Sequence, residues 1–524
     1  MKIKRFENAK RNIYWGFIER IITLILAFVT RTVFIRVLGA EYLGLNTLFT
    51  SLLMILNVSE LGLGSAIIYS MYKPIAEDDK ELTSALLNFY RKIYFYIGSF
   101  ILLVGLTLIP FLPRLISGAY PAGINLTVLY LLFLFNTVVS YFLFAYKAAL
   151  FSAYHRTDLI SKRTSIVTIL GNLLRITVLL LFRNYYVFAI IIPIETIVTN
   201  MINAYLAKKI YPEVTCTGSI TAEMKTAIKK RVIGLMSFRI YGVVFSSFDT
   251  IIISLFLGLV PLALFSNYYF IQQSIVGFMA IFTLSITAGI GNKMVTNSRE
   301  DNYQDFKNIV FMNGWLSSFA AICLLNLYQH FIGLWLGKDY LLPFSTTILL
   351  VMYFFIPRVT TITYTYRTAA GLWWEDKFRP IVAMVVNLIL SIILIQRLGI
   401  NGVIIATLVC SLLINIPWGT IVLFKNYFKR SPKEYFMKLS HYTVTTIIAG
   451  VATLFINSFL PTTGLFSFLL KMIICAIVPN VILTISYYKK EEFYYLKQYL
   501  FKFINTRLIK RKCTDNIKSR NDLE

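Results

Sequence analysis

Nine ionisable side chains sit inside otherwise apolar stretches of this sequence: Arg20, Arg31, Glu60, Lys147, Arg175, Glu195, Arg239, Asp249 and Arg358. A charge in a spanning segment is costly, with estimates from about 2.5 kcal/mol upward, and marks a polar interior, a water-filled cavity or a partner. Arginine's planar fork of donors matches phosphate, singly or bidentately. Arg31, Arg239, Arg358 and Arg20 are therefore the candidate anion-binding residues. Arg31 lies in RTVFIRVLG, and Arg358 follows Pro357, where a loosened helix turns a polar side chain inward. Arg20 and Arg239 lie about two turns from a helix end and have a second reading, as side chains that snorkel to the interface. Arg36 is read as interfacial.

Asp249, Glu195 and Glu60 are the candidate ion-coupling residues. Asp249 stands in SSFDTIII with no charged neighbour in sequence. It suits proton uptake and release or Na⁺ binding, or else a fixed salt bridge to Arg31 or Arg239. Glu195 follows Pro193 and has a competing role as the ion-pair partner of Arg175. Glu60 and Lys147 fall near segment ends. The three histidines, His155, His330 and His441, are isolated, and the five cysteines form no CxxC. No metal site, disulfide framework or cofactor is expected.

The elements that must position these residues are membrane helices. The chain has 524 residues, of which 57% are hydrophobic and 15% charged, with a mean hydropathy of +0.69. Soluble domains are about a quarter charged. A spanning helix takes roughly 20 apolar residues, and fourteen candidates follow one another, from 13–38 and 42–70 through 125–150 and 345–370 to 441–460 and 466–488. The segments near 164–182 and 381–398 are the shortest. The first run is longer than a signal-peptide core and is expected to remain as helix 1. The net charge of +26 falls in short segments flanking the apolar runs, so it reads as topology rather than nucleic-acid binding. Lys and Arg concentrate in every second connection, from Lys2, Lys4 and Arg5 to Lys425, Lys429 and Arg430. This bias places both termini in the cytoplasm. The opposite connections are too short to hold an extracytoplasmic catalytic domain, so no enzyme is expected.

The chain also repeats itself. VLGAEYLGL (37–45) and FLGLVPLAL (256–264) match at Leu38, Gly39, Leu43 and Leu45 against Leu257, Gly258, Leu262 and Leu264, 219 positions apart. The same offset sets Arg20 against Arg239 and Thr30 against Asp249. LGNLLRITVLLL (170–181) echoes VNLILSIILIQ (386–396), with Asn172 and Asn387 alike. The expected fold is all-α: two six-helix lobes, 1–210 and 233–426, joined by a cytoplasmic linker at 211–232. Helices 13 and 14 (427–488) are extra, and 489–524 is a basic tail suited to anionic lipid. Parallel copies imply a pseudo-twofold along the membrane normal, with a substrate site near the midplane.

Three stretches carry a family resemblance. RTVFIRVLGAEYLGLNTLFTSLLMILNVSELGLGSAIIYSMYKPIA (31–76), SFDTIIISLFLGLVPLALFSNYY (247–269) and the segment from Tyr366 to Cys410 resemble bacterial polysaccharide flippases of the Wzx type. These belong to the multidrug/oligosaccharidyl-lipid/polysaccharide exporter superfamily, which includes the MATE transporters. The resemblance implies a central cavity lined by helices 1, 2, 7 and 8, in the bacterial inner membrane. It implies movement of an undecaprenyl-diphosphate-linked oligosaccharide to the outer leaflet, with polysaccharide-assembly proteins as partners. The resemblance implies that the cationic lumens of that family map here onto Arg31, Arg239, Arg20 and Arg358. The rival readings are a multidrug or cation antiporter of the same fold, which calls for an acidic cavity, and a polysaccharide polymerase, which calls for larger outer loops.

Overall fold

The computed structural model describes residues 5–60 and 62–498; the side chains of 5–10, 12, 13, 58, 59, 233–241, 244–246, 282, 284, 285 and 288 lie outside that description. Among the described residues there are helices and turns and no strands. The chain divides into two compact units, one formed by Met1–Ile271 with Pro380–Thr407, the other by Gln272–Arg379 with Leu408–Glu524.

The first unit holds α1 (Arg5–Leu38), α2 (Ala40–Leu56), α3 (Leu63–Ala76), α4 (Lys80–Thr107), α5 (Leu126–Phe142), α6 (Ala148–Ala153), α7 (Thr157–Phe182), α8 (Tyr185–Ile210) and α9 (Ala222–Leu257). It also takes the start of α10 (Leu259–Thr296). The second continues α10 and adds α11 (Arg299–Trp335), α12 (Phe344–Val359) and α13 (Thr361–Ala369). Most of α14 (Arg379–Leu398) and of α15 (Ile400–Cys410) belongs to the first unit, and α16 (Ile416–Leu423), α17 (Lys433–Ser458) and α18 (Leu465–Tyr487) to the second.

The fourteen expected segments fall on helices, but several are broken. The second is interrupted by a 3₁₀ turn at Asn57–Glu60 and by Gly62, whose φ of 97° is left-handed. The fourth bends by 50° where α5 gives way to the short helices that follow. The tenth ends its first half at Val359, two residues beyond Pro357, whose missing N–H and ring disrupt the preceding turn. Ten helices are long and apolar enough to cross a membrane among the described residues, or eleven with the bent pair. The difference from fourteen arises at α2, which has only 17 residues, at the broken second segment, and along α9 and α10, where side chains lie outside the described residues.

Burial follows the rule for lipid rather than water. Large apolar side chains such as Leu103, Leu181 and Phe466 are 65–75% exposed, while Thr, Ser and Asn side chains are buried within each unit. The protein is a multi-pass membrane protein. In the first unit, α1 packs along α7 and α2 packs against α9, with Leu45, Leu48 and Phe49 fully buried. Gly44 lets α2 come close to the start of α10, because a Cβ there would collide with the Leu259 backbone. In the second, the rings of Phe306, Phe424, Phe428, Tyr366 and Tyr435 pack edge-on and tilted against one another, at favourable aromatic distances.

Candidate functional site

Helix α1 places Arg31 on the wall of a cavity of about 430 Å³ in the first unit. Its Nε donates to Asn267 Oδ1 at 2.9 Å and its Nη2 to Ser266 Oγ at 2.6 Å. Phe270 lies beneath the guanidinium, 5.0 Å from its ring centroid. These three residues follow one another along the first turns of α10, so one helix face orients the fork. No carboxylate lies within ion-pair distance of Arg31 among the described residues. Its charge is therefore held by neutral groups and is not cancelled locally. Thr30, on the same helix, donates to Asn172 Oδ1 at 2.7 Å, and Asn172 in turn donates to the Thr168 carbonyl at 2.7 Å.

Arg175 and Glu195 also line this cavity and form an ion pair. Gly171 makes room for the Glu195 carboxylate, which a Cβ would strike, and its carbonyl accepts from Arg175 Nε at 3.4 Å. Of the two roles open to Glu195 in the sequence, the geometry displays the ion pair. The cavity thus holds one uncompensated cation beside one neutralised pair.

Asp249 is only 1% exposed. Thr407 Oγ1 donates to its carboxylate, at 3.4 and 3.3 Å from the two oxygens. Thr407 also accepts from Asn387 Nδ2 at 2.9 Å. That bond leaves Asn387 Oδ1 buried with no hydrogen-bond partner, and Ser391 Oγ, one turn further along α14, is likewise buried and unpartnered. The result is a buried cluster built on oxygen donors: a carboxylate, an amide carbonyl and hydroxyls. Such a donor set fits a hard monovalent cation or a proton. No cluster of three or more His, Cys, Asp or Glu side chains able to hold a metal occurs among the described residues.

The remaining candidates are scattered. Arg20 is exposed on α1. Arg239 falls on α9, and its side chain lies outside the described residues. Arg358 is half-buried on α12 of the second unit, where its carbonyl accepts from Asn313 Nδ2 at 2.8 Å. Glu60 sits in a cage of phenols: Tyr94 donates to one oxygen, Tyr141 to the other at 2.7 Å, and Tyr90 to Tyr94 at 2.8 Å. Lys147 lies over the Phe144 ring. Of the proposed arginines whose side chains are described, Arg31 alone lines this cavity.

Sequence reasoning missed several participants. Ser266, Asn267 and Thr407 are neutral residues in apolar runs, and their only signal is polarity at a buried helical position. It also missed Arg379. In the second unit Asp376, fully buried, accepts from Arg379 Nε at 2.8 Å and Nη2 at 2.8 Å, and Arg367 Nε lies 3.0 Å away. Arg379 Nη1 reaches Asn415 Oδ1 at 2.7 Å, on a π-turn at Ser411–Asn415. The i, i+3 spacing of Asp376 and Arg379 was the available clue.

No protein-family model matches the sequence, and no curated protein matches it. Solved structures do. The lipid II flippase MurJ in an inward closed conformation aligns at a TM-score of 0.66 and 15% identity, over 91% of this chain and 98% of that one. An inward-facing multidrug resistance MATE family transporter of the MOP superfamily aligns at 0.60 and 14%, over 77% and 94%. A MOP-superfamily transporter from Pyrococcus furiosus, described as having a binding pocket of reverse polarity, aligns at 0.53 and 14%, over 80% and 96%. The fold is that of the MOP-superfamily transporters. At these identities the likeness concerns architecture, and the Arg31 and Asp249 sites stand on their own geometry.

Proposed function

We propose that the protein is a flippase that carries an undecaprenyl-diphosphate-linked oligosaccharide from the cytoplasmic to the outer leaflet of a bacterial inner membrane. The observation that carries this reading is Arg31: a guanidinium on a cavity wall, oriented by Asn267 and Ser266, with no carboxylate to cancel it among the described residues. A diphosphate supplies the missing charge through charge-assisted hydrogen bonds. The adjacent Thr30 and Asn172 offer polar contacts to the first sugars. The fold neighbours include a lipid II flippase, which favours a lipid-linked substrate over a free one. The expected lobes, 1–210 and 233–426, then move by alternating access. Arg20, Arg239 and Arg358 are proposed as further anion contacts along the path.

Coupling is assigned to Asp249. Binding of Na⁺ or H⁺ among Asp249, Asn387, Ser391 and Thr407 would satisfy the two orphaned oxygens. That same acid gives the antiporter reading its one support, since a cation exporter needs an anionic site and multidrug transporters share the fold.

Reconstitution in liposomes with a fluorescent lipid-diphosphate sugar decides between them. Arg31→Ala is expected to slow flipping at least tenfold, with Arg31→Lys intermediate, while export of cationic dyes stays at background in every variant. Wild-type flipping by a well-folded Arg31→Ala protein would sink the proposal. Robust export of a cationic dye by the wild-type protein would favour the antiporter.

A further inference from the structure

A second cavity, of about 420 Å³, lies in the first unit and shares no lining residue with the Arg31 cavity. Its size falls in the range of about 300–1,000 Å³ typical of small-ligand pockets. The walls come from α4 and from the elbow between α5 and α6. Arg91 and Lys92 supply two exposed cations. Phe95 and Tyr96 are 58% and 71% exposed, and Phe142 and Phe144 37% and 40%. Among the described residues no acidic one lines it. The nearest acid in the network, Glu60, is taken up by the hydroxyls of Tyr94 and Tyr141. Asn88 accepts from Arg91 Nη2 at 2.9 Å and steadies the guanidinium.

The elbow itself is built for this. Phe144 has a φ of 58°, a left-handed conformation that a bulky residue keeps only where its surroundings hold it, and which concentrates at ligand sites. The turn carries the Phe144 ring into the cavity wall and sets Lys147 Nζ 5.2 Å over it. Three cations and a rim of exposed rings therefore converge at one helix break. This end of α4 begins at Lys80, on the side that the charge bias assigns to the cytoplasm. Aromatic rings sit well at the headgroup level there, and the cytoplasmic leaflet is the anionic one.

We propose that the α4–elbow cavity binds the headgroup phosphate of an anionic glycerophospholipid, independently of the transported substrate. Arg91 and Lys92 take the phosphate, and the Phe95, Tyr96, Phe142 and Phe144 rings pack against the glycerol and the first acyl carbons. Tyr141 connects this site to the helix break at Glu60, because its ring lines the cavity and its hydroxyl holds the carboxylate. Bound lipid thereby braces the joint between α2 and α3.

Native mass spectrometry of the full-length protein in detergent, with added phosphatidylglycerol or phosphatidylcholine, tests this. Phosphatidylglycerol is expected to stay bound at collision energies that strip phosphatidylcholine. Arg91→Ala with Lys92→Ala should lower its retention at least fivefold. Lys225→Ala with Lys229→Ala, which removes two exposed cations elsewhere, should leave it unchanged. Lys92→Gln alone should move in the same direction by a smaller factor. Equal retention of the two lipids, or full retention of phosphatidylglycerol in the Arg91/Lys92 variant, overturns the proposal. Displacement of the lipid by excess inorganic phosphate also overturns it, by reassigning the site to the free anion.

Discussion

Thr30–Arg31 and Asp249–Thr250 occupy corresponding places in the two sequence copies, 219 positions apart, and they have opposite electrical character. In the first copy a threonine donates to Asn172 and the next residue is a cation with neutral partners. In the second an aspartate accepts from Thr407, which itself accepts from Asn387. Asn172 and Asn387 are the matching asparagines of the internal echo. The backbone around them is alike too. Gly39 joins α1 to α2 with φ 98° and ψ −179°, and Gly258 joins α9 to α10 with φ 88° and ψ −170°. One frame thus carries a cation in the first copy and a carboxylate in the second, and the proposed coupling of a lipid diphosphate to an ion gradient calls for both.

The largest expected effect comes from erasing the second character. Asp249→Asn should lower gradient-driven flipping at least tenfold and remove its response to Na⁺ or pH. Binding of the lipid-diphosphate substrate in detergent should remain near wild type. Loss of substrate binding together with coupling would mean that the two copies do not divide the labour. An intermediate effect comes from making the first copy resemble the second. Thr30→Asp places a carboxylate beside Arg31, and substrate affinity should fall about tenfold, which is ~1.4 kcal/mol. Titration by tryptophan fluorescence reads it, and an unchanged Kd would break the link between the uncancelled charge and the anion.

The smallest effects sharpen the structural half of the comparison. Both junction glycines lie in a backbone region that is nearly reserved to glycine and costs a non-glycine residue about 1–3 kcal/mol. Gly39→Ala meets no atom within 4 Å, so strain alone acts. At Gly258 a Cβ also falls 2.5 Å from the Ser117 carbonyl oxygen. Gly258→Ala should therefore lower the thermal unfolding midpoint in detergent more than Gly39→Ala. Equal shifts would show that the second junction relaxes without cost.

Much of this was legible in the residues. Apolar runs of bilayer length located the helices, because lipid forces every backbone hydrogen bond into the segment itself. Arg31 and Asp249 stood out because an ionised side chain amid apolar neighbours needs a reason to be there. The helix breaks were less visible. Gly62 and Pro357 are local signals, but the kink at Phe144 has no glycine or proline to announce it, and it is held by its surroundings.

The sequence by itself determined that the chain spans a membrane many times, that stretches of its opening and its middle resemble each other, and that a few charges are placed inside. Those properties depend on composition and spacing, which are local. Only the tertiary structure decided what each charge faces. Asn267 lies 236 positions from Arg31, and Thr407 lies 158 positions from Asp249, so no window along the chain contains either pair. Glu195 and Arg175 are close in sequence, yet their ion pair requires that α7 and α8 meet at Gly171. Whether a buried charge is free to bind a ligand depends on the neighbours that cancel it, and packing chooses those neighbours.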